Sequence, residues 1–443
     1  MKNFAEFGIV IPEILLPKDK NLSVWSVIAC DQYTQDQDYW NKVENQVGEN
    51  ASTLNLILPE IYLSSPDRKE RIQKIRQTMQ HYLSEGIFDN PQKEFIYLER
   101  KTPFGRIRRG LVLAIDLDSY QWKPFSKSLI RATEATIVDR IPPRKEIRAG
   151  APIESPHIML LANDPENILI ESAAKEAKKQ EAVYDGDLMA NSGHITGWAI
   201  KDEKALDNIY NALSKLKKDG SQEDGSSFLF AVGDGNHSLA TAKAVWDEYK
   251  EELQKKGASE KEIAESPVRF ALVEIVNIYD QGLTFEPIHR VLFNANCSKL
   301  SDFLKKETGA NVLQVSSEKE LESKVKESKG NFGLVAGGSE KTNFYLFQTQ
   351  TRDLLVSSIQ PLLDKFIKEN SSEKNIEIDY IHGSDEVFRL GKEEGNITIL
   401  LPPVAKDSFF TTISKNGPLP RKSFSMGEAS EKRFYLECRR LFS

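Results

Sequence analysis

The chain reads as an α/β to α+β protein built on mixed sheets, and three observations carry that reading. Short apolar runs of strand length recur along the 443 residues, stretches of helical period stand between them, and clusters of turn residues punctuate the joints. A hydrophobic content of 40% with 28% charged residues is that of an ordinary globular protein, and the length allows two or three domains. The predicted divisions are an N-terminal mixed α/β unit over 1–128, a core over 129–297 that carries Asp234, and a C-terminal α/β lobe over 298–443.

In the first division Ile9 to Ile11 and Val24 to Ile28 read as extended, and Asp67 to Leu83 is charged, free of Pro and Gly, and helical in period. Glu94 to Leu98 and Gly110 to Ile115 follow as buried strands. From Arg131 to Pro156 the chain turns basic and proline-containing, and Pro142-Pro143 predicts a loop there because proline interrupts both helix and sheet. Its arginines, Arg131, Arg140, Arg144 and Arg148, are either a solvated surface or an anion clamp. Alternation resumes with a helix over Pro165 to Gln180, an extended run at Ile195 to Ile200 and a helix over Ala205 to Leu216, then a Gly/Ser-rich loop over Asp219 to Ser227. A strand over Phe228 to Val232 and a helix over Leu239 to Lys256 come next. Strands at Phe270 to Ile278 and Ile288 to Phe293 are joined by Tyr279-Asp280-Gln281-Gly282-Leu283, which has turn chemistry. Beyond residue 298, helical and extended runs alternate: Leu300 to Lys306, Asn311 to Val315, Lys319 to Lys329, Phe332 to Ala336, Phe344 to Gln348, Asp353 to Glu369 and Ile397 to Leu401.

The most informative residues are Gly233-Asp234-Gly235-Asn236-His237-Ser238, at the joint of a strand and a helix. Two glycines there allow positive φ and close approach to the backbone, and Ser238 reads as a cap for the helix whose first amides point back at the turn. Such a place suits an anion, most often phosphate. Asp234 can hold a metal or accept a proton, His237 titrates near neutrality, and Asn236 can orient a ligand without changing charge. The alternative is a tight turn in which these side chains serve only the backbone.

Other features bound the function. The net charge of -7 excludes a generally basic nucleic-acid-binding surface. Cys30, Cys297 and Cys438 are distant and odd in number, which fits a reducing cytoplasm, and no run is long enough to cross a bilayer. A cytoplasmic, unanchored protein is the expectation. Five of the six histidines, His157, His194, His237, His289 and His382, sit at predicted loops or element ends, whereas His81 lies on a helix. No two have the helical spacing of zinc hydrolases, no Gly-x-Ser-x-Gly turn is present, and nothing points to zinc, haem or flavin. Near the C-terminus, Pro418 to Ser425 joins proline-rigid backbone to Arg421, Lys422 and Ser423.

Asp234-Gly235-Asn236-His237-Ser238, followed by Ala240 and Ala242, resembles the Asp-Gly-His-His-Arg turn and alanine-rich helix of the domain-of-unknown-function family 1015. The likeness extends to Arg131 through Pro156, to Gly193-His194, to Asp280 through Arg290, and to Pro420-Arg421-Lys422-Ser423. Asn236 and Ser238 depart from the family pattern, where histidine and arginine stand; Asp234 and His237 are retained. The turn also looks like that of the ParB/sulfiredoxin-like superfamily, which includes free serine kinases, sulfiredoxins and CTP-binding partition proteins. The resemblance implies a ParB/sulfiredoxin-like core and a nucleotide-dependent phosphotransferase acting on a small hydroxylated metabolite, serine or phosphoserine first.

The expectation is therefore an enzyme of phosphoryl transfer, with Asp234, His237 and Glu134 as catalytic candidates. Asp234 and Glu134 are the candidates for Mg2+, and ATP, ADP or CTP for the nucleotide. Gly233, Gly235, Asn236 and Ser238 would cradle phosphate, with Arg131, Arg140, His194, His289, Arg290, Arg421, Lys422 and Ser423 as further phosphate or nucleotide contacts. Two readings compete: a phosphomonoester hydrolase using the same pocket, and a non-catalytic nucleotide or metabolite sensor. Neither a membrane nor a nucleic-acid partner is expected.

Overall fold

The computed structural model describes residues 2–338, 341–370 and 375–442. The chain forms two compact units, one of Met1–Leu283 together with Glu428–Ser443, the other of Thr284–Gly427. In the first unit ten strands make one sheet: Ile9–Val10 (β1), Phe95–Lys101 (β2), Ile107–Asp116 (β3), Tyr120–Gln121 (β4), Ile130–Arg131 (β5), Met159–Ala162 (β6), Tyr184–Asp187 (β7), His194–Ile200 (β8), Phe230–Asp234 (β9) and Phe270–Asn277 (β10). Their order is β7-β8-β2-β3-β10-β6-β9-β5-β4, with β1 beside β3. The sheet is mixed, as the alternation of elements predicts: β6 runs parallel to β10, and β5 runs parallel to both β9 and β4, while β6 and β9 are antiparallel.

The middle strands are buried on both faces, and their sequences show it. Leu111 to Ile115 in β3, Leu160 to Ala162 in β6 and Phe230 to Val232 in β9 are fully buried, so they read as continuous apolar runs. The helix Asn236–Lys255 follows β9 and presents Leu239, Ala240, Ala242, Val245 and Trp246 to the core. The two alanines let its backbone lie close to the sheet, and Trp246 anchors it, its indole N–H donating to Asp118 Oδ1 at 2.9 Å.

Two expectations need correction here. Residues 131–156 are not one loop, because Ile141–Arg148 is a helix with proline in its first turn. Those positions have no hydrogen bond to lose and want the φ that proline fixes, so Pro142 and Pro143 start a helix rather than break one. Val24 to Ile28 is not one extended run either: Leu22–Trp25 is a helical turn, and only Val27–Ile28 is strand.

The segment Glu428–Ser443 closes the first unit. Phe434–Tyr435 pairs with Val27–Ile28, Arg439–Arg440 with Ile153–Glu154, and Cys438 bridges to Leu15. It also brings charge into the interior. Glu274 of β10, 1% exposed, faces Arg108 at 3.4 Å and Arg433 at 3.5 Å, and Arg433 bonds Glu437 at 2.6 Å, which in turn accepts from Tyr184 at 2.6 Å. Gly110 makes the room, since a Cβ there would lie 2.5 Å from Glu274 Oε1. Buried charges this close stand only because each has its partner; removing one leaves the other desolvated and alone.

The second unit carries a six-stranded antiparallel sheet: His289–Phe293 (β11), Asn311–Val315 (β12), Asn331–Gly337 (β13), Thr342–Gln348 (β14), Glu377–Ile381 (β15) and Asn396–Leu400 (β16), in the order β12-β14-β13-β16-β11-β15. The helices Cys297–Thr308, Glu318–Lys326 and Leu355–Asn370 match apolar periodicities in the sequence. Among the described residues, no helix is long and apolar enough to cross a membrane.

Candidate functional site

The polar turn lies where β9 gives way to the long helix, and the backbone explains why it carries these residues. Opposite β6 the register shifts, so that Leu160 faces Val232 but Met159 faces Asp234, and Gly233 is the extra residue of a β-bulge. A bulge re-aims the side chain that follows it, here Asp234. Gly235 takes φ +80°, the left-handed region that favours glycine, and a Cβ on it would also crowd Ile158 at 3.1 Å. Gly233, by contrast, is not in the left-handed region; its freedom serves the bulge and not a positive φ. The helix begins at Asn236, with Gly235 in the capping position and no side-chain cap. Ser238 is therefore not the cap its sequence position suggests, because the helix starts at Asn236, three residues earlier than the apolar period that begins at Leu239.

Four groups converge on this helix start. One oxygen of Asp234, Oδ1, accepts from the Gly235 amide at 3.1 Å; the other, Oδ2, is buried, receives no hydrogen bond, and lies 3.5 Å from Lys432 Nζ. Asn236 is clamped to Thr133, accepting from its amide and donating to its hydroxyl, each at 3.2 Å, and Thr133 Oγ1 donates to Val232 O at 2.6 Å. His237 Nε2 accepts from the Ile137 amide at 3.4 Å. Ser238 Oγ lies 3.1 Å from His157 Nε2, whose ring partner Nδ1 meets the Tyr435 hydroxyl at 2.9 Å.

His157 also faces Asp31, 3.9 Å away. Burial pushes the Asp31 carboxyl up, but His157, Gln32 and Lys432 overcome it and hold the group below the usual carboxylate range. Lys432 thus balances two carboxylates, Asp234 and Asp31. Burial drives the neighbouring Cys30 thiol well above its ordinary value, which leaves it protonated and unreactive near neutrality.

A cavity of about 140 Å3 adjoins His157 and Ser238. Cys30, Tyr435, Ser155 and Thr241 share its polar rim, and charged and apolar side chains from several elements form the rest of its walls.

The other residues singled out by sequence are placed as follows. Glu134 follows Thr133, which joins it to the turn. Arg131 is spent on Ser128 O at 2.9 Å, on Ser226 Oγ at 3.4 Å and on the face of Phe228, with burial lowering its pKa. Arg140 is exposed, ahead of the Ile141 helix. His194 lies on β8, five strand spacings from β9, about 24 Å across the sheet. There it bonds Asp187 and Asp185, each at 2.7 Å, and they hold its pKa above the ordinary value. His289, Arg290, Arg421, Lys422 and Ser423 all belong to the second unit. His289 Nδ1 accepts from the Leu401 amide at 3.0 Å, Arg290 donates to Gln360 at 2.9 Å and to Ile288 O, and Ser423 donates to Pro420 O at 2.5 Å. Arg421 and Lys422 are exposed.

Sequence reasoning did not single out Lys432, Asp31, Thr133 or Tyr435, and it placed His157 at an element end without assigning it a role in the site. Asp31 and Lys432 stand 401 positions apart in the chain, and no short spacing announces such a meeting. Among the described residues no group of three or more histidine, cysteine or carboxylate side chains is arranged to hold a metal by itself.

A family model described as "Protein of unknown function (DUF1015)" matches residues 12–366. No curated protein matches the chain. Among solved structures, a free serine kinase in complex with AMP is similar at 14% identity, with 73% of this chain and 90% of that chain covered and a TM-score of 0.37. A conserved hypothetical protein from Pyrococcus furiosus is 13% identical over 75% of this chain and 95% of its own, with a TM-score of 0.34. SbnI with a C-terminal truncation, from Staphylococcus aureus, is 9% identical over 71% and 82%, also at 0.34.

Proposed function

The chain belongs to the family described as protein of unknown function DUF1015, and from that footing we propose that it binds the phosphates of a nucleotide at the Asp234 turn and transfers phosphoryl to or from a small hydroxylated metabolite. One observation carries the reading: Asp234 Oδ2 is buried without a hydrogen bond, at the open start of a twenty-residue helix, with the Lys432 ammonium 3.5 Å away. Oδ2 faces Lys432 without a hydrogen bond, and Gly235 at the cap offers the first amides no side-chain oxygen, so the free protein holds groups that a ligand would satisfy. The amides of the first turn and Lys432 attract phosphate, while Asp234 supplies the negative group that works on the acceptor or on a cation.

In the transfer the acceptor hydroxyl oxygen attacks the terminal phosphorus. The new O–P bond forms as the bond to the bridging oxygen breaks, the shortened nucleotide leaves with that electron pair, and the hydroxyl proton passes to Asp234 or Glu134. Lys432 compensates the charge that spreads over the phosphoryl oxygens. The donor set fits Mg2+ held through one carboxylate, with phosphates and waters completing its shell, and Asp234 Oδ2 is the atom that would hold it. When bound, the cation supplies further positive charge to the phosphate oxygens. His237 is a poorer base than its sequence position suggests, because its Nε2 lone pair already receives the Ile137 amide.

The test is thermal stabilisation of the purified protein, with Mg2+, against ATP, ADP, CTP, pyrophosphate, serine and phosphoserine, repeated with Asp234→Ala. A stabilising nucleotide names the donor for a product assay, and loss of its effect in the variant supports the turn as its site. If no phosphate compound stabilises the folded protein, the proposal is wrong. Phosphate released from phosphoserine without nucleotide would turn the same site into a hydrolase, and stabilisation without turnover would make it a sensor.

A further inference from the structure

Ser238 and His157 form a hydroxyl–imidazole pair that has no part in transfer to a metabolite. Ser238 Oγ lies 3.1 Å from His157 Nε2, and the Tyr435 hydroxyl meets His157 Nδ1 at 2.9 Å. The Cys30 amide donates to the same tyrosine oxygen at 3.2 Å, which fixes the phenol behind the ring. In the tautomer that carries its proton on Nδ1, His157 donates to Tyr435 and its Nε2 accepts from Ser238, so Nε2 is placed to take the serine proton. Asp31, 3.9 Å from Nε2 and held below the usual carboxylate range, compensates the imidazolium that results. A hydroxyl with a base and a counter-charge behind it is an activated nucleophile.

The surroundings supply both an electrophile and a place for the product. Ser238 is the third residue of the helix Asn236–Lys255. Side chains of a helix lean toward its N-terminus, so this hydroxyl leans toward the first turn, where nucleotide phosphates would bind. Ser238 and Arg148 both line the cavity of about 140 Å3, because the helix Ile141–Arg148 packs on the Asn236 helix. In the cavity wall Arg144 and Glu60 pair with each other, but Glu154 is shared. Arg439 Nε and Nη2 donate to its Oε1 at 2.8 and 2.6 Å, and Arg148 Nη2 lies 2.6 Å from its Oε2. Two guanidiniums thus face one carboxylate, and Arg148 Nε and Nη2 are buried without a hydrogen bond. Excess positive charge and donors without acceptors, in a cavity that a serine lines, suit a phosphate on that serine.

We propose that Ser238 is a site of self-phosphorylation, with His157 as its base and Arg148 receiving the phosphate in the cavity. The proposal rests on the binding of a nucleoside triphosphate at the Asp234 turn. Ser238 Oγ forms the bond to the terminal phosphorus as the bridging P–O bond breaks. The nucleoside diphosphate leaves with that electron pair, and the serine proton passes to His157 Nε2. The phosphoserine carries about 1.5–2 negative charges at neutral pH, which Arg148 and the start of the helix offset.

Intact-protein mass spectrometry of the full chain, incubated with Mg2+ and ATP or CTP, tests this, with Ser238→Ala and His157→Gln alongside. The native chain should gain the mass of one phosphoryl group, which fragmentation places on Ser238. Ser238→Ala should gain none, and folded His157→Gln should gain it at least about a hundredfold more slowly. Freed of nucleotide, the phosphorylated chain should melt about 2 °C or more above the unmodified one. The native chain is also melted with an ATP analogue whose terminal phosphate cannot be transferred. Stabilisation by the analogue without a mass gain on ATP or CTP overturns self-phosphorylation and leaves nucleotide binding at the turn standing; neither stabilisation nor mass gain overturns both. Phosphate on another residue instead, or gained as fast by folded His157→Gln, would also overturn the proposal, and a phosphorylated chain that melts no higher would overturn the part given to Arg148.

Discussion

Asp234 in the first unit and His289 with Arg290 in the second come from the same kind of sequence signal, polar residues at an element end, and the protein treats them in opposite ways. Asp234 keeps an oxygen to which nothing donates, 3.5 Å from an ammonium. His289 and Arg290 are 4% and 0% exposed; His289 Nδ1 accepts from the Leu401 amide, and Arg290 Nε and Nη1 donate to Gln360 and to Ile288 O. A carboxylate oxygen that faces an ammonium without a hydrogen bond can still turn to a ligand, whereas a ring nitrogen that holds a backbone amide is committed to the fold. The difference turns on what surrounds each residue, which a motif does not record.

The sharpest way to break this comparison is at Asp234. Asp234→Ala should lower phosphoryl transfer by about 10²–10⁴-fold, with the fold retained by circular dichroism; activity near that of the native chain would place Asp234 with His289 as a structural residue. The second unit should answer to pH instead. Burial, with Arg290 and His382, depresses His289 to about 4. Between there and the ordinary histidine value near 6.5 the unfolded chain takes a proton that the folded chain refuses. Stability from this group is therefore whole above about pH 6.5 and falls as pH drops toward 4, by up to about 3 kcal/mol. Urea midpoints from pH 7 to 4 should show the decline, and His289→Gln should flatten it.

Lys432→Met keeps the stem and removes the charge. It should weaken nucleotide binding by about tenfold, roughly 1.4 kcal/mol, measured by titration calorimetry, and the loss should shrink in high salt. The smallest effect belongs to His194, where the sign reverses. Asp187, then Asp185, raise its pKa against a modest opposing burial, so the stability it contributes is present below the ordinary value and is lost as pH rises through the raised one. Asp187→Asn should move its NMR titration midpoint downward while ligand binding at the turn stays unchanged, because β8 lies across the sheet.

Much of the framework was legible because apolar period survives in sequence. Glu94 to Leu98 and Gly110 to Ile115 fall within or at the edge of β2 and β3, and Asp67 to Leu83 is within one residue of Arg68–Ser84. The turn at Asp234 was visible for the same reason, a strand pattern giving way to a helix pattern through polar residues. What surrounds it was not. Asp31, His157, Lys432 and Tyr435 reach it through pairings such as Phe434–Tyr435 with Val27–Ile28, and no local window contains both partners. The helix Ile141–Arg148 was hidden by proline, whose cost depends on whether it stands first or later in a helix. In the second unit, β15 escaped notice although Glu377, Ile378, Asp379 and Tyr380 alternate polar and apolar, because the run is short and all its residues are exposed or half-exposed.

The late return of Glu428–Ser443 to the first unit has a consequence for synthesis. Asp234 is made roughly 200 residues before Lys432, which at about 5–20 residues per second is some 10–40 s. Throughout that interval the nascent first unit holds the Asp234 turn without its ammonium and Val27–Ile28 without its partner strand. A ribosome delayed within the second unit would leave a first unit in which Glu274 lacks Arg433 and Tyr184 lacks Glu437, with an unpaired strand edge open to other chains.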